Sequence, residues 1–457
     1  MTLLRKISAL VLAVMMIAVV GLAWASSVGD LATDGVVGDF AEADKPVAQA
    51  TSVKIYKEIT AYNQDSEDVN APVITYTYTI NPGSAGKQVK DAGGTSLHTD
   101  GNAVAVQTKQ GPIGATITNV ALTNSTKLET TPSGKKNVFP ITVDFSGVTW
   151  TGAGVYRYLI TEHVNSSTTT EADTTAKNAA GIADGGISNQ RYMDVYVKDN
   201  SEGTGYEIYG YTLFCADTDI DGTSSTDSTK KSKTEGFVTG DEDGDGTIED
   251  TEQADKYYTF NLDVGKTLVG DSAMNNNKFP FYVNFLNSSV TASIAIKTKT
   301  VEDAAAAVAD SDVTGTLSTA TTGISHTPTI DHQSKVKYIG VPVGITAATS
   351  ATVYETNNVT GTTYLSQYSL QGATLTGDKN IDWVTGTTST SNTATMPAIT
   401  KNQADTVSHT IGFTNTLKQI SPTGVVLRVA PYLLMLAAGI TLLVIFMVKR
   451  RKHTEED

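Results

Sequence analysis

Two apolar runs, one at each end, decide how much of this chain is left to fold in water. The first, residues 7–22, follows Arg5 and Lys6 and leads to Ala23-Trp24-Ala25. A basic start, a short apolar stretch and a small-residue A-x-A site make a secretory signal, so residues 1–25 are expected to be removed on export. The second run, residues 429–448, carries no charge and stops at Lys449-Arg450-Arg451-Lys452. At roughly 1.5 Å per residue, an apolar run of about 20 residues crosses a bilayer core as one helix. The cations after it keep the tail, 449–457, on the cytoplasmic side. Ser421-Pro422-Thr423-Gly424 then lies on the outer side, held extended by its proline and open to an extracellular enzyme.

What lies between reads as β-structure. Residues 26–50 are small, acidic and poor in aromatics, a flexible leader. From Thr51 onward Thr, Val, Tyr and Ile dominate, broken by Gly, Asn and Asp; 53–59, 73–80, 155–162 and 192–197 read as strands. Helical periodicity is nearly absent, with 301–308 the main helix candidate. The pattern also recurs. A strand carrying a lysine stands at 55–59 and again at 262–268, and a later strand ends in glutamate at Glu162 and again at Glu355. The expected fold is all-β: two tandem Ig-like sandwiches, 51–240 and 257–419, joined by an acidic segment, 241–256. An exported chain whose sole cysteine is Cys215 closes no internal disulfide, so its stability needs another source.

Strand parity points to that source. Val53, Ile55, Lys57 and Ile59 share one face; so do Tyr158, Ile160 and Glu162. In the second repeat Leu262, Val264, Lys266 and Leu268 share a face, as do Val353 with Glu355 and Ile411 with Phe413 and Asn415. Each time a charge falls among side chains that should point into a core, where a lone charge is costly. Burial favours a neutral lysine and a protonated glutamate. Such an amine can attack an asparagine side-chain carbonyl, with the glutamic acid hydrogen-bonded to its oxygen. Ammonia leaves, and an amide joins first and last strands.

These residues resemble the Gram-positive pilin domains of the isopeptide-linkage type, the CnaB/FctA-like family. The resemblance implies Lys266 and Asn415 as the bonded pair of the second domain, with Glu355 as the catalytic acid. In the first domain it implies Lys57 with Glu162. Thr239, in Gly236-Phe237-Val238-Thr239, stands where the asparagine should be, and Asn261 is the substitute. Ile420-Ser421-Pro422-Thr423-Gly424, the apolar run and the basic tail together resemble a cell-wall sorting signal, in its Pro-Thr-Gly form. That implies cleavage by a sortase between Thr423 and Gly424, and transfer of the Thr423 carbonyl to an amine.

The segment joining the repeats matches an EF-hand loop. Asp241, Asp243 and Asp245 stand at the first three ligand positions, Gly246 at the sharp turn, Thr247 at the backbone-oxygen position and Glu252 at the bidentate position, a set suited to Ca²⁺. Asp217, Asp219 and Asp221 repeat the first half of the loop, but Ser228 stands at its bidentate position. The six histidines form no metal or triad motif, so enzyme chemistry beyond autocatalytic bond formation is not expected. The net charge of −15 argues against nucleic acid as a partner. The expected role is therefore a secreted structural protein of the cell wall and surface, a pilus shaft subunit. Its partners would be sortase, other pilin subunits or a wall precursor, and the membrane before cleavage. A wall-anchored adhesin binding a host or extracellular ligand is the alternative.

Overall fold

The computed structural model describes residues 51–88, 107–200, 202–220, 233–240, 242, 247–269, 278–301, 308–318, 323–355, 368–376, 393–399, 408–417 and 432–447. The signal 1–25, the leader 26–50, Asp241, Asp243, Asp245, Ser421 to Gly424 and the basic tail lie outside these. Residues 432–447 form a helix exposed along its length. Among the described residues no helix is long and apolar enough to cross a membrane.

Between these ends the described chain is dominated by strands, arranged as two sandwiches. In the first, Ser52–Tyr62 buries alternate residues: Val53, Ile55, Lys57, Ile59 and Ala61 point inward. It pairs antiparallel with Lys135–Asp144 on one side. The facing sheet runs Tyr206–Phe214, Gln190–Asp199, Gly154–Val164, Ile74–Pro82 and Val120–Leu122. Tyr76, Tyr158, Ile160, Met193 and Val195 from that sheet close on Ile55, Ile59 and Ile141 from the first. The second sandwich packs Phe260, Leu262 and Val264 against Phe281, Val283, Phe285 and Val353.

The sandwiches share a strand rather than a linker. Asp255–Val269 runs parallel to Ser52–Tyr62 at its start and parallel to Ser408–Leu417 at its end. Tyr257 belongs to the first core and Phe260 to the second. One continuous 11-stranded sheet therefore passes through both. A bulge between Phe260 and Leu262 marks the crossing, where the partner strand Ser334–Pro342 gains a residue. Gly340 sits there at φ +80°, and an added Cβ would meet Val69 of the first domain at 2.9 Å. Only glycine tolerates both conditions.

The helix candidate at 301–308 lies outside the described residues except at its two ends. Val301 ends the strand Ser293–Val301 and Val308 opens the strand Val308–Thr316. A helix does form at Thr170–Ala179, inserted directly after the strand that carries Glu162. Its low apolar content hid it: the positions it buries are Asp173 and Lys177, not hydrophobic residues. The Thr169 hydroxyl accepts from Ala172 N at 3.2 Å and caps it.

Candidate functional site

Lys57 sits at the middle of the first strand with no solvent exposure, and its Nζ donates to Glu162 Oε1 at 2.8 Å and to Asp255 Oδ2 at 2.9 Å. The ammonium also lies 4.2 Å from the Tyr76 ring centroid, a cation–π contact that partly replaces lost hydration. Glu162 is fixed from its other oxygen, where Oε2 accepts from the Tyr78 hydroxyl at 2.9 Å. Asp255 is likewise held twice: Lys177 Nζ reaches Oδ1 at 2.9 Å. Lys177 also stands 3.4 Å from Asp184.

Two cations and two anions thus meet out of water, where unpaired charge would cost several kcal/mol each. Burial alone would keep Asp255 neutral, but Lys57 and Lys177 outweigh it and hold the carboxyl far below the usual carboxylate range. Burial opposes the charge on Lys177, and Asp255, Glu162 and Asp184 overcome it, raising the amine above its ordinary value. Burial and Glu162 push the Tyr78 phenol well up, so it stays a hydrogen-bond donor. Beside this cluster lies a cavity of about 210 Å³ lined by Glu162, Asp173, Lys177 and Asp184 among others.

Asn261 is not part of it. Six residues beyond Asp255 on an extended strand, it is displaced by about 20 Å. Its carboxamide is committed elsewhere: Nδ2 donates to Asn63 Oδ1 at 2.9 Å and Asp65 Oδ2 at 2.8 Å, while Oδ1 accepts from Gly340 N at 3.1 Å. It fills the bulge at the domain crossing. Lys337 joins the same clasp through Asp65 and Glu67.

The second cluster is simpler. Lys266 Nζ donates to Glu355 Oε2 at 2.7 Å and lies 4.4 Å from the Phe279 ring centroid. Burial brings its amine down to about 8, with Glu355 opposing the shift. Asn415 stands on Ser408–Leu417, the strand parallel to that of Lys266.

Register relates the two clusters. Lys57 stands opposite Phe237 and Lys266 opposite Phe413, each on a parallel neighbour. Two residues further on, Ile59 stands opposite Asp255 and Leu268 opposite Asn415. Asp255 therefore occupies in the first domain the place of Asn415 in the second. The parallel neighbour of the first strand is built from two pieces. Gly236–Phe237 supplies the phenylalanine, the chain leaves, and Asp255–Val269 returns to supply the next position. Thr239 is consequently turned aside, its hydroxyl donating to Glu58 Oε1 at 2.8 Å. Sequence reasoning missed Asp255 and Lys177. Asp255 did leave a signal, because with Tyr257 and Thr259 it shares the inward face of its strand.

The acidic segment is tied to the first domain. Arg191 is fully buried, 4.9 Å from the Phe237 centroid, and its Nη2 donates to Glu242 Oε1 at 2.6 Å. Glu252 Oε1 accepts from Glu242 N at 2.9 Å and Oε2 from Glu249 N at 3.0 Å, while Thr247 is exposed. Both oxygens expected to chelate an ion thus cap backbone amides. Among the described residues no group of three or more His, Cys, Asp or Glu is arranged to hold a metal. Asp217 is engaged by Ser84, Arg157 and Lys87.

No family model matches the chain, and no curated protein matches it. Among solved structures it is similar to the major pilin from Streptococcus pyogenes, at 17% identity over 80% of this chain and 98% of that one, with a TM-score of 0.32. It is similar to the T3.2 major pilin from Streptococcus pyogenes at 17% identity, over 80% of this chain and 100% of that one, TM-score 0.34. A pilus-presented adhesin is similar at 10% identity, over 80% of this chain and 100% of that one, TM-score 0.26. At this level the likeness carries no conclusion about what the chain does.

Proposed function

We propose that this protein is a surface-displayed structural subunit, a pilus shaft component joined to its neighbours or the wall by sortase at Thr423 and braced inside by two amide cross-links. The observation that carries the proposal is the repeated register: a buried lysine–glutamate pair in each core, with an acceptor residue two positions along the parallel strand. In the second domain the Lys266 amine attacks the side-chain carbon of Asn415 and ammonia leaves, with Glu355 carrying the proton. In the first, Lys57 attacks Asp255 and water leaves. Condensation is favoured there because it removes a buried charge pair and releases its product to solvent. Each bond would link the strand carrying the lysine to the parallel strand beside it, so that tension along the sheet is borne by covalent bonds.

Intact mass under denaturing conditions tests the bracing. Two bonds remove one water and one ammonia, a deficit of about 35 Da; a chain at its full sequence mass would end the proposal. Sortase-dependent ladders on denaturing gels test the shaft role, whereas a single wall-linked band supports the adhesin reading.

A further inference from the structure

An aspartate is a poor acceptor for an amine. Its carboxylate is already charged, and attack at the carbon drives more charge onto both oxygens. In a buried site that charge needs a fixed partner. The second domain avoids the difficulty by placing a neutral carboxamide, Asn415, at the acceptor position. The first does not, and it carries instead a lysine for which the cross-link between Lys57 and Asp255 has no stoichiometric use.

We infer that Lys177 is a catalytic residue of the first cross-link: its ammonium on Asp255 Oδ1 neutralises the charge that this oxygen carries while Lys57 attacks, which lets an aspartate serve where the second domain has an asparagine. The inference rests on the cross-linking reading above. The geometry divides the labour between the two carboxylate oxygens, Oδ2 facing Lys57 and Oδ1 facing Lys177, each at 2.9 Å.

Lys177 is held for this task. It lies on the buried side of Thr170–Ala179 together with Asp173, one turn earlier. Asp173 pins the helix to the strand that carries Glu162: Oδ1 accepts from Val164 N at 2.6 Å, and Oδ2 lies 2.9 Å from His163 Nδ1. Asp184 faces the same ammonium and keeps it charged when Asp255 loses its own charge.

The Lys57 ammonium passes one proton to Glu162, and the freed lone pair attacks Asp255 Cγ. Charge gathers on Oδ1 against Lys177. Oδ2 departs as water, taking the proton back from Glu162 and a second proton from the attacking nitrogen. The carbon–Oδ2 bond breaks, the carbon–nitrogen bond remains, and Glu162 and Lys177 end as they began. The cavity beside Glu162, Lys177 and Asp184 gives the water a way out.

The exported protein, followed by intact mass and peptide mapping, provides the test. Wild type should lose about 18 Da at the first site and about 17 Da at the second. Lys177→Met should keep only the second loss, with the first bond slowed by at least about 100-fold, as for removal of a donor from an oxyanion site. Lys177→Arg retains the charge and should still form the first bond. In Asp255→Asn/Lys177→Met the acceptor is neutral, so the bond should return, now with loss of ammonia. The second-domain bond and a cooperative melt report folding in every variant. A first bond formed by Lys177→Met at the wild-type rate overturns the inference, as does a folded double variant that stays unlinked, which would leave Lys177 a packing role. Loss of water from Lys57→Ala also overturns it, since Lys177 would then be the linked amine. A wild-type protein with no first loss would instead refute the cross-linking reading itself.

Discussion

Glu162→Gln is the sharpest perturbation of the first domain. The substitution keeps the shape of the side chain and removes its ability to take a proton from Lys57, 2.8 Å away. Without that transfer Lys57 stays an ammonium and Asp255 a carboxylate, so no amide forms. Lys57 and Asp255 are 198 residues apart in sequence, and closing a loop of that size removes denatured-state entropy worth about 5 kcal/mol. For a domain of 150–250 residues each kcal/mol moves Tm by about 2–4 °C, so the unlinked domain should melt about 10–20 °C lower. The buried cluster also loses one of its anions, which lowers Tm further. Calorimetry and intact mass on the same sample separate the two effects, because only the lost bond adds about 18 Da. Lys57→Met, also unlinked, should likewise lack the first-site loss of about 18 Da relative to its own sequence mass. A Glu162→Gln protein that retains the mass deficit refutes the role of Glu162. A fall in Tm with no change in mass would show that Glu162 stabilises only as a charge.

In the second domain, bond formation needs the neutral Lys266 amine, so its rate should rise with pH, reach half its maximum near the lowered pKa of about 8, and then level off; a pulse-refolding mass assay reads this. The same shift sets the stability of unlinked Asn415→Ala. Lys266 binds a proton less readily when folded (about 8) than in its ordinary state (10.5), so between these values the unfolded chain carries more protons and stability should rise with pH, relative to Asn415→Ala/Lys266→Met. Asn261→Ala removes the acceptor of the buried Gly340 N–H and the two bonds to Asn63, which keeps Thr259 and Asp65; it should cost about 1–3 kcal/mol while the mass deficit stays unchanged, which a denaturant melt and intact mass together check. A Ca²⁺ ion at 241–252 would have to take Glu252 from the Glu242 and Glu249 amides; bound at one hundred times its Kd it would add about 2.7 kcal/mol to stability, and identical circular dichroism melts with and without chelator would discard it. On the sortase reading proposed above, wild type should leave the membrane fraction and Thr423→Ala should remain in it uncleaved at its C-terminal end; equal fractionation of the two would refute that reading.

The lysine–glutamate half of each site was legible because strand parity is a local property. Lys57 and Lys266 lie two residues from apolar neighbours on the same face, and that spacing alone places them in a core. The proposed acceptor of the second domain, Asn415, was equally legible in the sequence, since it follows Ile411 and Phe413 at strand spacing on one unbroken strand. The first was not. Its acceptor strand is assembled from Gly236–Phe237 and Asp255–Val269, and nothing within a single run joins Phe237 to Asp255. Lys177 was hidden for a related reason: it lies on a helix whose inward face is charged, so hydrophobic periodicity could not reveal it.

The sequence by itself determined the all-β class, the recurrence of the lysine and glutamate strands, and which of their side chains turn inward, because alternation along a strand depends only on neighbouring residues. The tertiary structure alone decided which groups meet there. Pairing between strands brought Asp255 rather than Asn261 to Lys57, carried one strand through both cores, and set Lys177 on the second oxygen of Asp255. Those are contacts between residues 78 to 198 apart in the chain, and their geometry is fixed by register and packing, quantities that no local pattern contains.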